Sequence, residues 1–190
     1  MINQMGKVYV VALILIAAAL GAYVFAPSSS VNFSDLEHHL QAGNTTEVVK
    51  RLKSVPIADD QANKYLIDWA LSNQEQINAL VLFDVSRRVF VKDKHEGAKL
   101  FFAARLWMAY DGARCKDKSA ANGLSLLAAS ANEVQKYLRD NPDEKQTALA
   151  EAIEWEKKHP SQVSPMWVCM RGMGNYLAAI DGEAPRVVQR

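Results

Sequence analysis

The chain has 190 residues, and its 22 Lys and Arg against 21 Asp and Glu give a formal net charge of +1. Setting Lys7 aside with the N-terminal segment leaves the remainder formally neutral. That balance excludes the basic footprint of a nucleic-acid binder and gives no polybasic membrane patch. The roughly 160 residues after that segment are an ordinary length for one domain, enough to bury a core without a metal ion.

The first element is the stretch Val8 to Ala26, VYVVALILIAAALGAYVFA, which carries no charge. At ~1.5 Å of rise per residue it would cover about 28 Å, close to the ~30 Å hydrocarbon core of a bilayer. Residues 1–26 are therefore expected to form a single-pass inner-membrane anchor, with 27–33 as a short linker. The alternative is a secretory signal that is removed. A cut after Val24-Phe25-Ala26 would leave Pro27 next, and a cut after Ala19-Leu20-Gly21 shortens the apolar core, so spanning length favours retention. Lys7 precedes the run, while Asp35 and Glu37 follow it. The positive-inside bias then keeps the N-terminus cytoplasmic and puts the domain, residues 34–185, in the periplasm of a Gram-negative envelope.

That domain reads as all-α, a compact bundle or short solenoid of helical hairpins. Ser34-Asp35-Leu36-Glu37 is a capping-box pattern, and the helix it opens should stop at Ala42-Gly43-Asn44. Thr45 or Thr46 is expected to cap the next helix, Glu47 to Lys53, which Pro56 ends. Asp59 or Asp60 starts a third. There Ala62, Tyr65, Leu66, Trp69 and Ala70 share one face by helical spacing and should be core. Glu75 to Val91 forms a fourth segment through Ile77, Leu80, Val81 and Val85. Its end, Val89-Phe90-Val91, is rich enough in β-branched and aromatic residues to suit a short strand.

Gly97 to Ala113 is the most apolar soluble stretch, and a helix apolar nearly all round should be the hub of the packing. Arg105 interrupts it. Its guanidinium must be ion-paired, reach solvent along its stem, or serve as an anion- or partner-binding group. Leu124, Leu127, Ala128, Ala131, Val134 and Leu138 make another stripe, stopped by Asn141-Pro142. Asn141 can cap the following helix, with Pro142, Asp143 and Glu144 near its positive end and Lys157, Lys158 and His159 near its negative one. Ser164-Pro165 restarts a last helix through Met166, Trp167, Met170 and Leu177, weakened by Gly172 and Gly174. Residues 186–190 should fray.

An even pair of cysteines in an exported domain reads as a disulfide, here Cys115 with Cys169, the alternative being two separate buried thiols. The closed loop of about 55 residues corresponds to ~4 kcal/mol of stabilisation. It would fasten the end of the hub helix to the glycine-containing last helix. His38, His39, His95 and His159 show no zinc-ligand spacing around either cysteine, so no metal and no other cofactor is expected.

From Arg87 to Arg105, the Lys92-Asp93 turn followed by Ala98, Phe102, Ala103 and Ala104 resembles the turn and second helix of Sel-type repeats, relatives of the tetratricopeptide repeat. The glycines of that family's first helix are absent, and no second copy recurs at a fixed period. The resemblance implies a helical array that binds another protein on an exposed surface, and it carries no catalytic residues.

Hydrolase and nucleotide motifs are absent: there is no Gly-x-Ser-x-Gly, His-Glu-x-x-His or phosphate loop. Gly172-Met173-Gly174 lacks a third glycine and a preceding strand. Glu151, Glu154 and Glu156 offer a carboxylate pair to a glycosidase only if one of them is held protonated. The sequence thus points to a non-catalytic, membrane-tethered interaction module with another protein as partner. One version is an immunity protein that blocks a secreted toxic effector. The alternatives are an accessory subunit of an envelope complex and a small cell-envelope hydrolase. Candidate contact residues are Arg105, Trp155, Trp167 and Arg171, since Trp and Arg dominate binding hot spots. Trp155 has the competing role of completing a core stripe with Ala148 and Ala152.

Overall fold

Twelve of the twenty residues from Lys94 to Ala113 are apolar and two more are glycine, and this stretch forms the central helix of a computed structural model that describes residues 33–123 and 131–180. The described residues are all helical. In chain order the helices are α1 (Phe33–Gln41), α2 (Thr45–Ser54), α3 (Asp60–Ser72), α4 (Ala79–Phe90), α5 (Lys94–Ala113), a 3-10 turn (Lys118–Gly123), α6 (Asn132–Asp140), α7 (Pro142–Lys158), α8 (Met166–Cys169) and α9 (Met173–Ile180).

The hub expectation is met. Helix α5 packs against α4, α6, α7, α8 and the 3-10 turn, and buries Phe101, Trp107, Leu100 and Met108. Its N-cap is Asp93, which accepts from the Glu96 amide at 2.9 Å. Helices α4 and α5 form the tightest hairpin. A Cβ on Gly97 would sit 2.4 Å from Phe90 Cα, so only a hydrogen fits where the two backbones meet. Further along, Phe83 and Phe101 stack edge to face at 5.5 Å.

Helices α2 and α3 lean on α4 from the other side. They are tied to it by buried Arg88, which bonds Asp84 at 2.6 Å, Asn63, and the carbonyls of Leu52 and Val55. A buried guanidinium is tolerated only when its donors are met this way. Helix α1 packs on α2 and leaves through Gly43 at φ +69°, where the Asn44 amide donates to His39 O at 2.8 Å.

Several expectations need correction. Helix α1 is already running at Phe33, so Ser34 lies inside it instead of capping it. Asn44, not a threonine, caps α2 by accepting from the Glu47 amide. Helix α4 starts at Ala79, because Asn78 accepts from the Leu80 and Val81 amides and ends the preceding turn. Val89 and Phe90 stay helical, completing the last turn of α4 instead of a strand. Tyr65 is 54% exposed, since α3 packs chiefly on α4 and its flank faces solvent. Asn141 makes no side-chain cap, and its amide donates back to Tyr137 O.

Residues 8–26, 124–130 and 186–190 lie outside the described residues, and with them the expected anchor, part of the Leu124 stripe and the tail. Among the described residues no helix is long and apolar enough to cross a membrane.

Candidate functional site

The C-terminal quarter of the domain is built around the end of α5. Cys115 lies just beyond its C-cap Arg114, and its sulfur is bonded to Cys169, the last residue of α8, with S–S 2.01 Å and Cα–Cα 5.2 Å. Both half-cystines are buried, together with Ala120 and Val168, and Trp167 packs on them.

One turn before Cys115, Asp111 is fully buried. It accepts from Trp167 Nε1 at 2.8 Å, from Arg114 Nη1 at 3.2 Å and from Ser161 Oγ at 3.4 Å. Burial pushes the Asp111 carboxyl above its ordinary range, against the pull of Trp167, Arg114 and Ser161. This node and the disulfide set α8 in place, and they fix the Trp167 indole with its N–H turned inward.

The single last helix expected from the sequence is two helices. Gly172 breaks it, and Asp117 supplies a cap from outside: its Oδ2 accepts from the Gly174 amide at 2.6 Å, while Ser119 Oγ accepts from the Met173 amide at 2.7 Å. A Cβ on Gly172 would lie 2.3 Å from that same Oδ2, and one on Gly174 2.9 Å from it. The two glycines therefore make room for a carboxylate over a helix N-terminus, where negative charge is favoured.

Against this assembly lies a cleft of about 690 Å³. One wall comes from the α1–α2 turn and the segment before α4: Leu40, Gly43, Asn44, Thr45, Thr46, Gln76, Asn78 and Leu80. The other comes from Val163 to Arg171 and includes Met166, Trp167 and Met170. Asn78 Nδ2 donates to Thr45 Oγ1 at 2.9 Å and so stiffens the first wall. Met170, 51% exposed, begins a row of uncovered apolar side chains that continues along α9 with Met173, Leu177 and Ile180.

Of the four contact candidates, Trp167 and Arg171 line this cleft; Arg105 and Trp155 do not. Arg105 reaches solvent, its guanidinium lying 5.9 Å from the Phe101 ring centre. Trp155 is half-buried against Trp107 and His159, at 5.5 and 4.7 Å between ring centres, beside buried Ala148 and Ala152. Its packing is that of the core stripe. Met166 and Met170, expected on the last helix, also line this cleft. The sequence signal for them is the uncharged run Met173–Ile180 directly behind, too apolar for an ordinary exposed helix.

No protein family, curated protein or solved structure matches this chain.

A second polar cluster joins α5 to α7. His95 Nδ1 lies 2.6 Å from Glu144 Oε1 and Nε2 lies 2.9 Å from Glu151 Oε2. The bonds to Glu151 and Glu144 raise the His95 pKa. Glu154 is held below its ordinary value by its bond to Lys157. Of Glu151, Glu154 and Glu156, Glu151 thus faces His95 and Glu154 pairs with Lys157. Among the described residues no group of three or more His, Cys, Asp and Glu side chains is placed to bind a metal ion.

Proposed function

We propose that this chain is a non-catalytic protein-interaction module, tethered to the inner membrane through residues 8–26 and presenting its helical domain to the periplasm. The observation that carries the reading is the cleft between the α1–α2 turn and α8, with its apolar lining and the exposed row Met170, Met173, Leu177 and Ile180 leading out of it. Exposed large apolar side chains in a continuous row mark surfaces that another protein covers. The groups around the cleft are amides, hydroxyls, thioethers and one guanidinium, which suit recognition better than bond cleavage. A buried disulfide fits an oxidising compartment, and the Arg87–Arg105 hairpin that resembles Sel-type repeats fits a binding array. A rigid, cross-linked surface loses little entropy on association, which suits an immunity protein that must hold a secreted effector tightly.

The test is quantitative co-purification from envelope membranes of the full chain and of Met170→Asp. The wild type should resist alkaline extraction and retain one protein near equimolar amount, and M170D should lose it at least tenfold. In the immunity form, co-production of the chain should restore growth to cells making that partner in the periplasm. Recovery of the chain in the soluble fraction, or retention indifferent to M170D, overturns the proposal.

A further inference from the structure

The cleft is not neutral in what it admits. Its lining contains no Asp or Glu, and Arg171 is the single charged residue among the lining side chains. Arg51, Arg88 and Arg114 each hold a carboxylate within the domain. Arg171 makes no ion pair among the described residues; its Nε donates to the Trp167 carbonyl at 3.3 Å. That bond steadies the stem, and among the described residues no acceptor meets the terminal amino groups of the guanidinium.

Polar side chains on the opposite wall carry no charge, and two of them already serve the fold. Asn44 Oδ1 is taken by the Glu47 amide, and Asn78 by Thr45 and the first amides of α4. Arg171 is therefore where a charge on the ligand would be met, and a bidentate guanidinium–carboxylate pair is the strong form of that contact. A basic segment would be repelled from the same place.

The rest of the lining is apolar and adaptable. Leu40 and Leu80 on one wall face Val163, Met166 and Met170 on the other, and the unbranched thioethers shape themselves to a partner's side chains. Trp167 contributes its ring, its N–H being committed to Asp111. The apolar row continues from Met170 to Ile180. At ~1.5 Å per residue α9 alone adds about 10 Å to the surface. A small molecule filling the cleft would leave that row uncovered, whereas a chain segment of some eight to ten residues, at ~3.3 Å each when extended, reaches across both.

We infer that the occupant of the cleft is an acidic, apolar segment of the partner protein, with a carboxylate on Arg171 and apolar side chains against Met166, Met170 and the α9 row. This rests on the interaction-module reading above and specifies its ligand.

The test is selection of a phage-displayed library of random decapeptides on the full chain held in lipid nanodiscs. Enriched peptides should combine Asp or Glu with aliphatic or aromatic residues. The best of them should bind Arg171→Glu at least tenfold more weakly and fail to bind Met170→Asp. Selection repeated on R171E should favour Lys and Arg. Arg171 is exposed, so R171E should unfold at the wild-type temperature, which separates lost binding from lost structure. Enrichment with no acidic bias, a bias unchanged by R171E, no enrichment, or self-association of the chain that blocks the cleft each overturns the inference. If none enriches while an envelope protein is still held and released by M170D, the module reading stands and the ligand chemistry fails. Enrichment as expected with no envelope partner gives the reverse result.

Discussion

Trp167 Nε1 donates to the buried carboxylate of Asp111 at 2.8 Å, joining residues 56 apart in the sequence. Trp167→Phe keeps the ring and removes the donor. A hydrogen bond to a charged group contributes about 1.5–3 kcal/mol, and its loss leaves a fully buried carboxylate less satisfied. The folded-state pKa of Asp111 already lies above its ordinary value through burial, and W167F should raise it further. Stability is then lost mainly where Asp111 is ionised, and the deficit shrinks as pH falls through the folded-state pKa. Urea unfolding of W167F and wild type across pH 4 to 8 checks the sign. A deficit that grows towards acid contradicts it.

Gly172→Ala should destabilise by about 1–3 kcal/mol, the usual range for overpacking, because its Cβ would meet Asp117 Oδ2 at 2.3 Å. In an Asp117→Ala background only the Cβ at 3.1 Å remains in the way, and the same substitution should cost less. A double-mutant cycle by chemical denaturation, with hydrogen exchange of the α9 amides, measures the coupling.

Replacing both cysteines with serine should cost about 4 kcal/mol by the loop-entropy argument. The loss should concentrate in α8, α9 and the 3-10 turn, while the α4–α5 hairpin keeps its protection. Hydrogen exchange followed by mass spectrometry distinguishes this from uniform loosening.

The bonds from Glu151 and Glu144 raise the folded-state pKa of His95. Its contribution to stability is therefore full below the unfolded value of ~6.5 and is lost as pH rises through the higher folded value. The side chain is 40% exposed, so solvent screening should keep the effect below about 1 kcal/mol. The His95 ring resonances should titrate above ~6.5 in the wild type and return towards that value in Glu144→Gln/Glu151→Gln.

Arg88→Met should be among the most disruptive single changes in the domain. It strips the buried Asp84 carboxylate of its partner and frees the Leu52 and Val55 carbonyls, for a cost of about 3–5 kcal/mol. Adding Asp84→Leu should recover part of it, as measured by thermal unfolding of both variants.

Features written in local pattern were legible in the chain. The apolar run ending at Ala113 announced the hub helix, because only a helix surrounded by neighbours tolerates Phe101, Phe102, Trp107 and Met108 on several sides. Cys115 and Cys169 announced their bond through number and inferred compartment. Features made by distant partners were not legible. Gly172 and Gly174 look like helix weakeners until Asp117 is seen above them, 57 residues from Gly174. The apolar spacing of Met170 and Leu177 is the same whether the cover comes from this chain or from another, so periodicity places them on a helix without saying what they face. Asn44 and Asn78 displaced the expected starts of α2 and α4 because a side-chain amide can cap a helix and brace a neighbour at once, as Asn78 does with Thr45.

The two walls of the cleft are contributed by residues 40–80 and 163–171, nearly the two ends of the folded domain. A chain that has emerged only in part, or whose Cys169 has not yet found Cys115, offers one wall without the other. The cleft is therefore a property of the finished molecule. A partner that uses both walls, as proposed, is held only by the complete, cross-linked fold.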